Sequence, residues 1–161
     1  MLDRAIWVLR GFIYRVFFGI HFVYLGRPII IFGKRRIKTT SGLGIYPGAR
    51  IEVGLRGRII INRNVRVGHN FFCQTNSNIL IGNNVTISAN VFIGTTDYNW
   101  KSKDLRRLKF REEIEKPIVI GDGSFIGINA TLLPGSILGK GCVVGANVVV
   151  KGVHPDYSII T

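Results

Sequence analysis

A few polar residues of the chain are of types that can move a proton or bind a polar substrate. The chain has three histidines, and a neutral imidazole with a pKa of about 6.5 suits general base catalysis at cellular pH. One of them, His69, lies among repeated sequence units, and a polar cluster, Asp97-Tyr98-Asn99-Trp100, interrupts these units. Tyr98 is a weak base, because lowering its reference pKa of about 10 by three units would need about 4 kcal/mol. The elements around these residues decide which of them come together.

Metal and thiol chemistry are not indicated by the sequence. Cys73 and Cys142 are too few for a disulfide scaffold, and they lack the spacing of zinc ligand pairs. A reducing compartment is therefore expected, and no metal site is expected.

The charge of the chain is concentrated in its first part. The formal net charge is +13, of which +11 falls in residues 1–70, where Asp3 and Glu52 are the acids. The positive electrostatic potential of this part favours an anionic partner, which can be a membrane surface, a nucleic acid or an acidic or phosphorylated sugar. A nucleic acid is disfavoured, because the aromatic residues of this part form a continuous apolar run instead of alternating with polar groups.

The N-terminal segment, residues 2–25, is apolar and aromatic with recurring arginines. No proline interrupts it, which allows a helix, but its longest stretch without Lys or Arg, Val16 to Gly26, is too short to span a membrane. Recurring arginines also argue against a secretory signal. Two interpretations stay open. In the first, the segment is an amphipathic helix in a membrane interface, and residues 1–38, which include the basic cluster Lys34-Arg35-Arg36 and Lys38, contact the membrane. In the second, the helix packs on the fold or on a sister subunit.

The later sequence repeats with a period of six. An aliphatic residue recurs at every sixth position, often followed by glycine, at Ile120, Ile126, Leu132, Leu138, Val144 and Val150. Neither a helix nor a plain strand has this period, whereas a parallel β-helix whose coils stack on one another does. We predict an N-terminal segment over residues 1–42 and a β-helix over residues 43–161, interrupted by a loop at 95–116.

These repeats resemble the hexapeptide-repeat acyltransferases, most closely in the stretch from Pro117 to Gly127 and in Leu133-Pro134-Gly135-Ser136-Ile137-Leu138-Gly139. The resemblance implies a left-handed parallel β-helix, all-β apart from the N-terminal helix, that assembles as a homotrimer. It also implies acetyl-CoA as cosubstrate and a sugar or glycan acceptor. The N-terminal run Arg10-Gly11-Phe12-Ile13-Tyr14-Arg15 is similar to the branch of the family that modifies bacterial surface polysaccharides.

The resemblance also implies site residues. The family's loop histidine falls on Tyr98 or Thr96, depending on the alignment, so the candidate catalytic residues are Asp97, Tyr98, Asn99 and, from a neighbouring subunit, His69. The candidate acceptor-binding residues are Gln74, Asn76 and Trp100. The candidate coenzyme contacts are Ile128, Ala146, Val150 and Lys151.

The predicted function is acetyl-CoA-dependent O-acetyl transfer to a sugar of a bacterial surface polysaccharide or its precursor. We expect a cytoplasmic protein, with peripheral contact to the inner face of the cytoplasmic membrane. The alternative is a non-catalytic hexapeptide-repeat scaffold that binds a glycan or a protein partner, which the missing loop histidine favours.

Overall fold

Three parallel β-sheets run along the molecule and form the faces of one solenoid. The structure, a computed structural model, describes residues 2–98 and 113–161. Face A contains β1 (Phe22–Leu25), β4 (Leu43–Ile45), β7 (Arg66–Val67), β10 (Thr86–Ile87), β15 (Phe125–Ile126), β18 (Val143–Val144) and β21 (Ile159–Ile160). Face B contains β2 (Ile30–Phe32), β5 (Arg50–Val53), β8 (Phe72–Thr75), β11 (Phe92–Gly94), β16 (Thr131–Leu132) and β19 (Val149–Val150). Face C contains β3 (Ile37–Thr39), β6 (Arg58–Ile61), β9 (Asn78–Ile81), β14 (Ile118–Ile120), β17 (Ile137–Leu138) and β20 (Val153–His154).

The chain passes from face A to B to C in each coil, which gives three kinds of corner: A–B, B–C and C–A. Strands of successive coils pair in parallel, as in the ladder from Ile45 to Val67 on face A. The six aliphatic positions of the repeat point inward and are at most 1% exposed. The predicted β-helix of stacked hexapeptide coils is therefore confirmed, and the aliphatic positions are its core.

Asparagine builds many of the corners. Asn70 and Asn90 both have a positive φ, and the side-chain amide nitrogen of Asn70 donates to the Asn90 amide oxygen at 3.1 Å. The same pairing joins Asn129 and Asn147, at 3.0 Å. Asparagine tolerates the left-handed conformation better than other residues with a Cβ, so these side chains turn the chain and link one coil to the next.

The solenoid begins ahead of the predicted boundary at residue 43. Helix α1 (Leu2–Phe18) ends before Gly19, whose φ is +66°, and β1, β2 and β3 already form a first coil with a 3₁₀ turn at Lys34–Arg36. This coil pairs with the next one in all three faces. The residues 22–25 are thus strand and not helix, because a short apolar run fits either structure and tertiary pairing decides between them.

Helix α1 packs one side on the first coil and leaves the other side exposed. Gly11 is buried, and a Cβ on it would lie 3.1 Å from the Cβ of Phe22, so the two backbones approach closely. Arg10 Nη1 donates to the carbonyl of Leu25 at 2.9 Å. The outer helix face is apolar and 43–74% exposed, and comprises Ile6, Leu9, Phe12, Ile13, Val16 and Phe17. Over residues 2–98 and 113–161, no helix has the length and hydropathy needed to cross a membrane.

Glycine after the inward aliphatic residue lets adjacent coils touch. A Cβ on Gly121 would lie 2.7 Å from the backbone nitrogen of Lys140 and closer still to the carbonyl of Gly139, whereas a Cβ on Gly123, with a φ of +69°, would meet nothing within 4 Å. We expect Gly121→Ala to destabilise the fold by about 3 kcal/mol or more, because the backbone of the next coil must move. Gly123→Ala is the matched control and should cost only about 1–2 kcal/mol of backbone strain. Urea unfolding monitored by circular dichroism measures both, and equal losses would contradict this explanation.

Candidate active site

The loop leaves the solenoid at the B–C corner of the fourth coil. It starts after β11 with β12 (Thr96–Tyr98), which pairs antiparallel with β13 (Glu113–Glu115) before the chain returns to β14. In this pairing Tyr98 lies opposite Glu113, and the amide of Lys116 donates to the carbonyl of Thr95 at 3.0 Å. The described ends of the loop therefore form a short ribbon fixed to one corner.

Two buried threonines hold the start of the loop against the preceding coil. The hydroxyl oxygens of Thr75 and Thr95 are 2.9 Å apart, and both residues are at most 2% exposed. Thr95 Oγ1 also accepts from the backbone amides of Asn76 at 3.1 Å and Ser77 at 3.2 Å. These bonds satisfy hydroxyls that would be costly to bury unpaired, so they fix Asn76 relative to the loop. The sequence signal for this pair is the replacement of an inward aliphatic residue by threonine.

A groove of about 240 Å³ opens between face B and the ribbon. Its lining residues are Phe32, Glu52, Gly54, Gln74, Thr75, Asn76, Thr96, Tyr98 and Glu113. Strand register aligns Glu52 with Gln74, and Gln74 with Gly94, along one line of face B. The groove thus brings together Gln74, Asn76 and Tyr98, three of the residues proposed from the resemblance.

The groove also contains two carboxylates, Glu52 and Glu113, that are not among the residues predicted from the sequence. Glu52 Oε1 accepts from Arg50 Nε at 2.7 Å, and the Arg50 guanidinium lies 4.9 Å from the Phe72 ring centroid. Glu113 is exposed and lies opposite Tyr98. No pattern in the sequence placed either residue here, because the strand register and the ribbon, not local spacing, bring them to the groove.

Asp97 has a local structural role. Its Oδ1 accepts from the backbone amide of the next residue, Tyr98, at 2.8 Å, and Asp97 pairs with Ile114 within the ribbon. Two further candidates, Asn99 and Trp100, lie outside the residues that the structure describes.

His69 lies at an A–B corner, away from the groove. It is exposed, and its ring centroid is 4.8 Å from that of Tyr46 in the preceding coil. The backbone amide of Asn90 donates to its carbonyl at 2.8 Å. Since His69 follows β7 on face A and the loop follows β11 on face B, one chain does not bring His69 beside Tyr98.

The candidate coenzyme contacts divide between two corners. Ile128 and Ala146 are exposed at the A–B corners of the fifth and sixth coils, the corner type that also bears His69. Lys151 is exposed and follows β19 at the B–C corner of the sixth coil. Val150 is buried, and its carbonyl accepts from the Leu133 amide at 3.0 Å and the Ser136 hydroxyl at 2.9 Å. Both lone pairs of that carbonyl are used, so it offers the coenzyme no acceptor.

The cysteines do not supply a nucleophile to the groove. Both are buried, and burial raises the pKa of the Cys73 thiol to about 12. A thiol that stays protonated is a poor nucleophile at cellular pH. Within the described part of the chain, no three or more His, Cys, Asp or Glu side chains are grouped to hold a metal ion.

Comparison with known proteins relates this fold to transferases. Residues 117–152 match the family model described as bacterial transferase hexapeptide (six repeats). The chain is 34% identical over 134 residues to WbbJ of Escherichia coli K12, by name an O-acetyl transferase of lipopolysaccharide biosynthesis, covering 75% of this chain and 63% of WbbJ. It is also similar to the crystal structure of the hexapeptide-repeat acetyltransferase VCA0836 of Vibrio cholerae, with a TM-score of 0.64 and 26% identity over 97% of this chain and 74% of that chain.

A further solved structure supports the fold alone. AntD, an N-acyltransferase from Bacillus cereus solved with dTDP and 3-hydroxybutyryl-CoA, has a TM-score of 0.75 and 13% identity, covering 91% of this chain and 80% of that chain. The chain spans 46–63% of the length of the curated relatives it matches.

Proposed function

Because the chain belongs to the hexapeptide-repeat acyltransferase family, we propose that it transfers an acetyl group from acetyl-CoA to a sugar hydroxyl. The acceptor in this proposal is a sugar of a bacterial surface polysaccharide or of its precursor, in keeping with the name of the Escherichia coli relative. The groove at the B–C corner is the observation that carries the proposal, because it combines amide and carboxylate side chains with the family's interrupting loop.

The groove supplies the groups that an acceptor sugar needs. The amide side chains of Gln74 and Asn76 can donate to and accept from sugar hydroxyls. In the transfer step the hydroxyl oxygen bonds to the thioester carbonyl carbon as its proton passes to a base. The carbon–sulfur bond then breaks, and the coenzyme thiolate receives a proton. The sugar hydroxyl must therefore lie between a base and the thioester.

The B–C corners provide a path for the coenzyme in this proposal. Lys151, at the sixth coil, lies three coils from Asn76, at the third, which corresponds to roughly 15 Å at the spacing of neighbouring strands. An extended acyl-bearing arm held near Lys151 by its phosphates can thus reach the groove along one edge. A lysine is a suitable phosphate ligand because its ammonium group is a compact charge with three donors.

A neighbouring copy completes the site in this proposal. His69, Ile128 and Ala146 share the A–B edge, whereas Tyr98, Gln74 and Lys151 share the B–C edge. If the A–B edge of one copy packs on the B–C edge of the next, as in a cyclic trimer, His69 approaches the groove as the general base. Glu52 and Glu113 are then positioned to bind sugar hydroxyls.

A membrane position is also part of the proposal. The outer helix face is apolar, and Arg4 and Arg15 flank it on the same helix, while Lys34 lies 4.7 Å from the Phe18 ring centroid. An apolar face with cations at its margin suits the interface of an anionic bilayer. Such a position would place the groove near lipid-linked glycan precursors.

Binding of the coenzyme tests the proposed activity without knowledge of the acceptor. We expect acetyl-CoA and CoA to raise the thermal unfolding temperature saturably, since a ligand at one hundred times its Kd adds about 2.7 kcal/mol of stability. Lys151→Gln should weaken this shift. Lys140→Gln removes the same charge at a C–A corner and should not.

The outcome also separates the two candidate functions. A shift that Lys151→Gln reduces would support the transferase and justify a screen of sugars by release of the CoA thiol. No shift with either ligand would contradict the transferase and favour the non-catalytic scaffold.

A further inference from the structure

A second concave surface lies between helix α1 and face A, apart from the active-site groove. It has a volume of about 270 Å³ and is lined by Arg4, Trp7, Val8, Tyr24, Tyr46 and Arg66, a set that we call the aromatic pocket. None of these six residues is acidic, and two are arginines. The pocket thus combines ring faces with positive charge, and the proposed acetyl transfer does not use it.

The aromatic side chains form a continuous wall. The ring centroids of Tyr24 and Tyr46 are 5.4 Å apart, and Trp7 lies 6.3 Å from Tyr24 and 6.0 Å from Tyr46. The ring of Tyr24 lies across Gly44 of the next coil, where a Cβ would overlap it. Packing on the glycine and on neighbouring rings holds the wall in place, so little side-chain freedom is lost when a ligand stacks on it.

The two arginines are within reach of the same wall. Arg66 Nη1 donates to the carbonyl of Gly42 at 2.7 Å, and its guanidinium carbon lies 5.9 Å from the Tyr24 ring centroid. Burial and the neighbouring Tyr46 raise the pKa of the Tyr24 hydroxyl, whereas Arg66 and Arg4 act in the opposite direction. The Tyr24 and Tyr46 side chains are half-buried, and both cations act on the Tyr24 hydroxyl, so an anion placed against these rings is attracted more strongly than one in open water.

We propose that the aromatic pocket binds a phosphate ester carried on a sugar ring, with the ring stacked on the wall and the phosphate held by Arg4 and Arg66. A guanidinium matches the geometry of two phosphate oxygens, and aromatic faces pack against the C–H groups of a sugar. The volume suits one phosphosugar unit, since it lies below the usual range for larger ligands.

The phosphate ester can come from a soluble sugar phosphate or from a lipid headgroup. Helix α1 contributes Arg4 and Trp7 to the pocket and also bears the outer helix face. A bilayer beneath that face would bring a lipid headgroup near the pocket. Both sources present a phosphate ester on a sugar ring, and a competition experiment between the soluble ester and vesicles distinguishes them.

Fluorescence of Trp7 gives a direct measurement. Trp7 and Trp100 are the two tryptophans, so Trp100→Phe leaves Trp7 as the single reporter. We expect glucose 1-phosphate to change its emission saturably, and glucose or sodium sulfate at equal ionic strength to have no such effect. Arg4→Gln should raise the Kd at least about ten-fold, the effect of one lost charged hydrogen bond. Arg15→Gln removes the same charge from an exposed site on the same helix and should leave the Kd within about two-fold.

The proposal is overturned if sulfate changes the emission as glucose 1-phosphate does, if Arg4→Gln and Arg15→Gln weaken binding equally, or if no change occurs. Vesicles containing phosphatidylinositol then identify the source. A vesicle-induced change that glucose 1-phosphate reverses supports a lipid headgroup as the ligand, and a response to glucose 1-phosphate without one to vesicles supports the soluble ester.

Discussion

Replacing Phe12 and Val16 together by aspartate is expected to release the protein from anionic vesicles, with a fall in partition on the order of 10³-fold. Both side chains belong to the outer helix face and are 60% and 61% exposed, so the substitutions leave the packed side of α1 intact. Burying each apolar side chain in the interface contributes about 1.5–3 kcal/mol, and a carboxylate there adds repulsion from anionic lipid. Sedimentation with phosphatidylglycerol vesicles at constant salt measures the loss.

The matched control carries the same change of charge at the far end of the solenoid. Val153 and Ile159 are 72% and 76% exposed in the last coil, and their double replacement by aspartate should leave vesicle binding within a few-fold of the original. If both double variants lose vesicle binding equally, the binding depends on the net charge of the protein alone. If the native protein does not sediment with vesicles, the membrane position is contradicted, and a contact with another protein becomes the interpretation of the outer helix face.

The coils were predictable from the sequence because the stacking of coils requires particular residue types at regularly repeated positions. An inward aliphatic residue recurs every six residues, and Gly121 is required where the next coil touches the corner. These demands are local, so a single sequence reveals them. The same spacing continues through Leu25, Ile31 and Ile37 in the first coil, which are all buried, but the preceding apolar run concealed it.

The groove was predictable only in part, because distant strands build it. Gln74, Asn76 and Tyr98 followed from the resemblance and from the place of the loop, and the structure brings them together. Glu52 reaches the groove through pairing with a strand more than 20 residues later, and Glu113 through the ribbon. Register between separate strands is a property of the folded chain and leaves no short-range motif.

Mixed oligomers of two inactive variants are expected to regain activity if neighbouring copies share each site. His69→Ala removes the proposed base from the A–B edge and should lower the transfer rate by about 10²-fold or more. Tyr98→Ala alters the groove on the B–C edge and should also inactivate. When the two variants are co-expressed at equal levels, about a quarter of the sites in a cyclic oligomer combine two intact edges. The rate of CoA thiol release should therefore recover to about a quarter of the original.

Rescue has a structural control, because two lesions on the same edge cannot complement each other. His69→Ala and Ala146→Glu both alter the A–B edge, so every A–B edge in their mixed oligomers is defective. That pair should stay as inactive as either variant alone. Recovery in both mixtures would mean that the variants stabilise each other without sharing a site, and recovery in neither would place the complete site within one chain. Recovery in the first mixture alone would support a base donated across the subunit boundary, which explains how a family loop without histidine can still belong to an active enzyme.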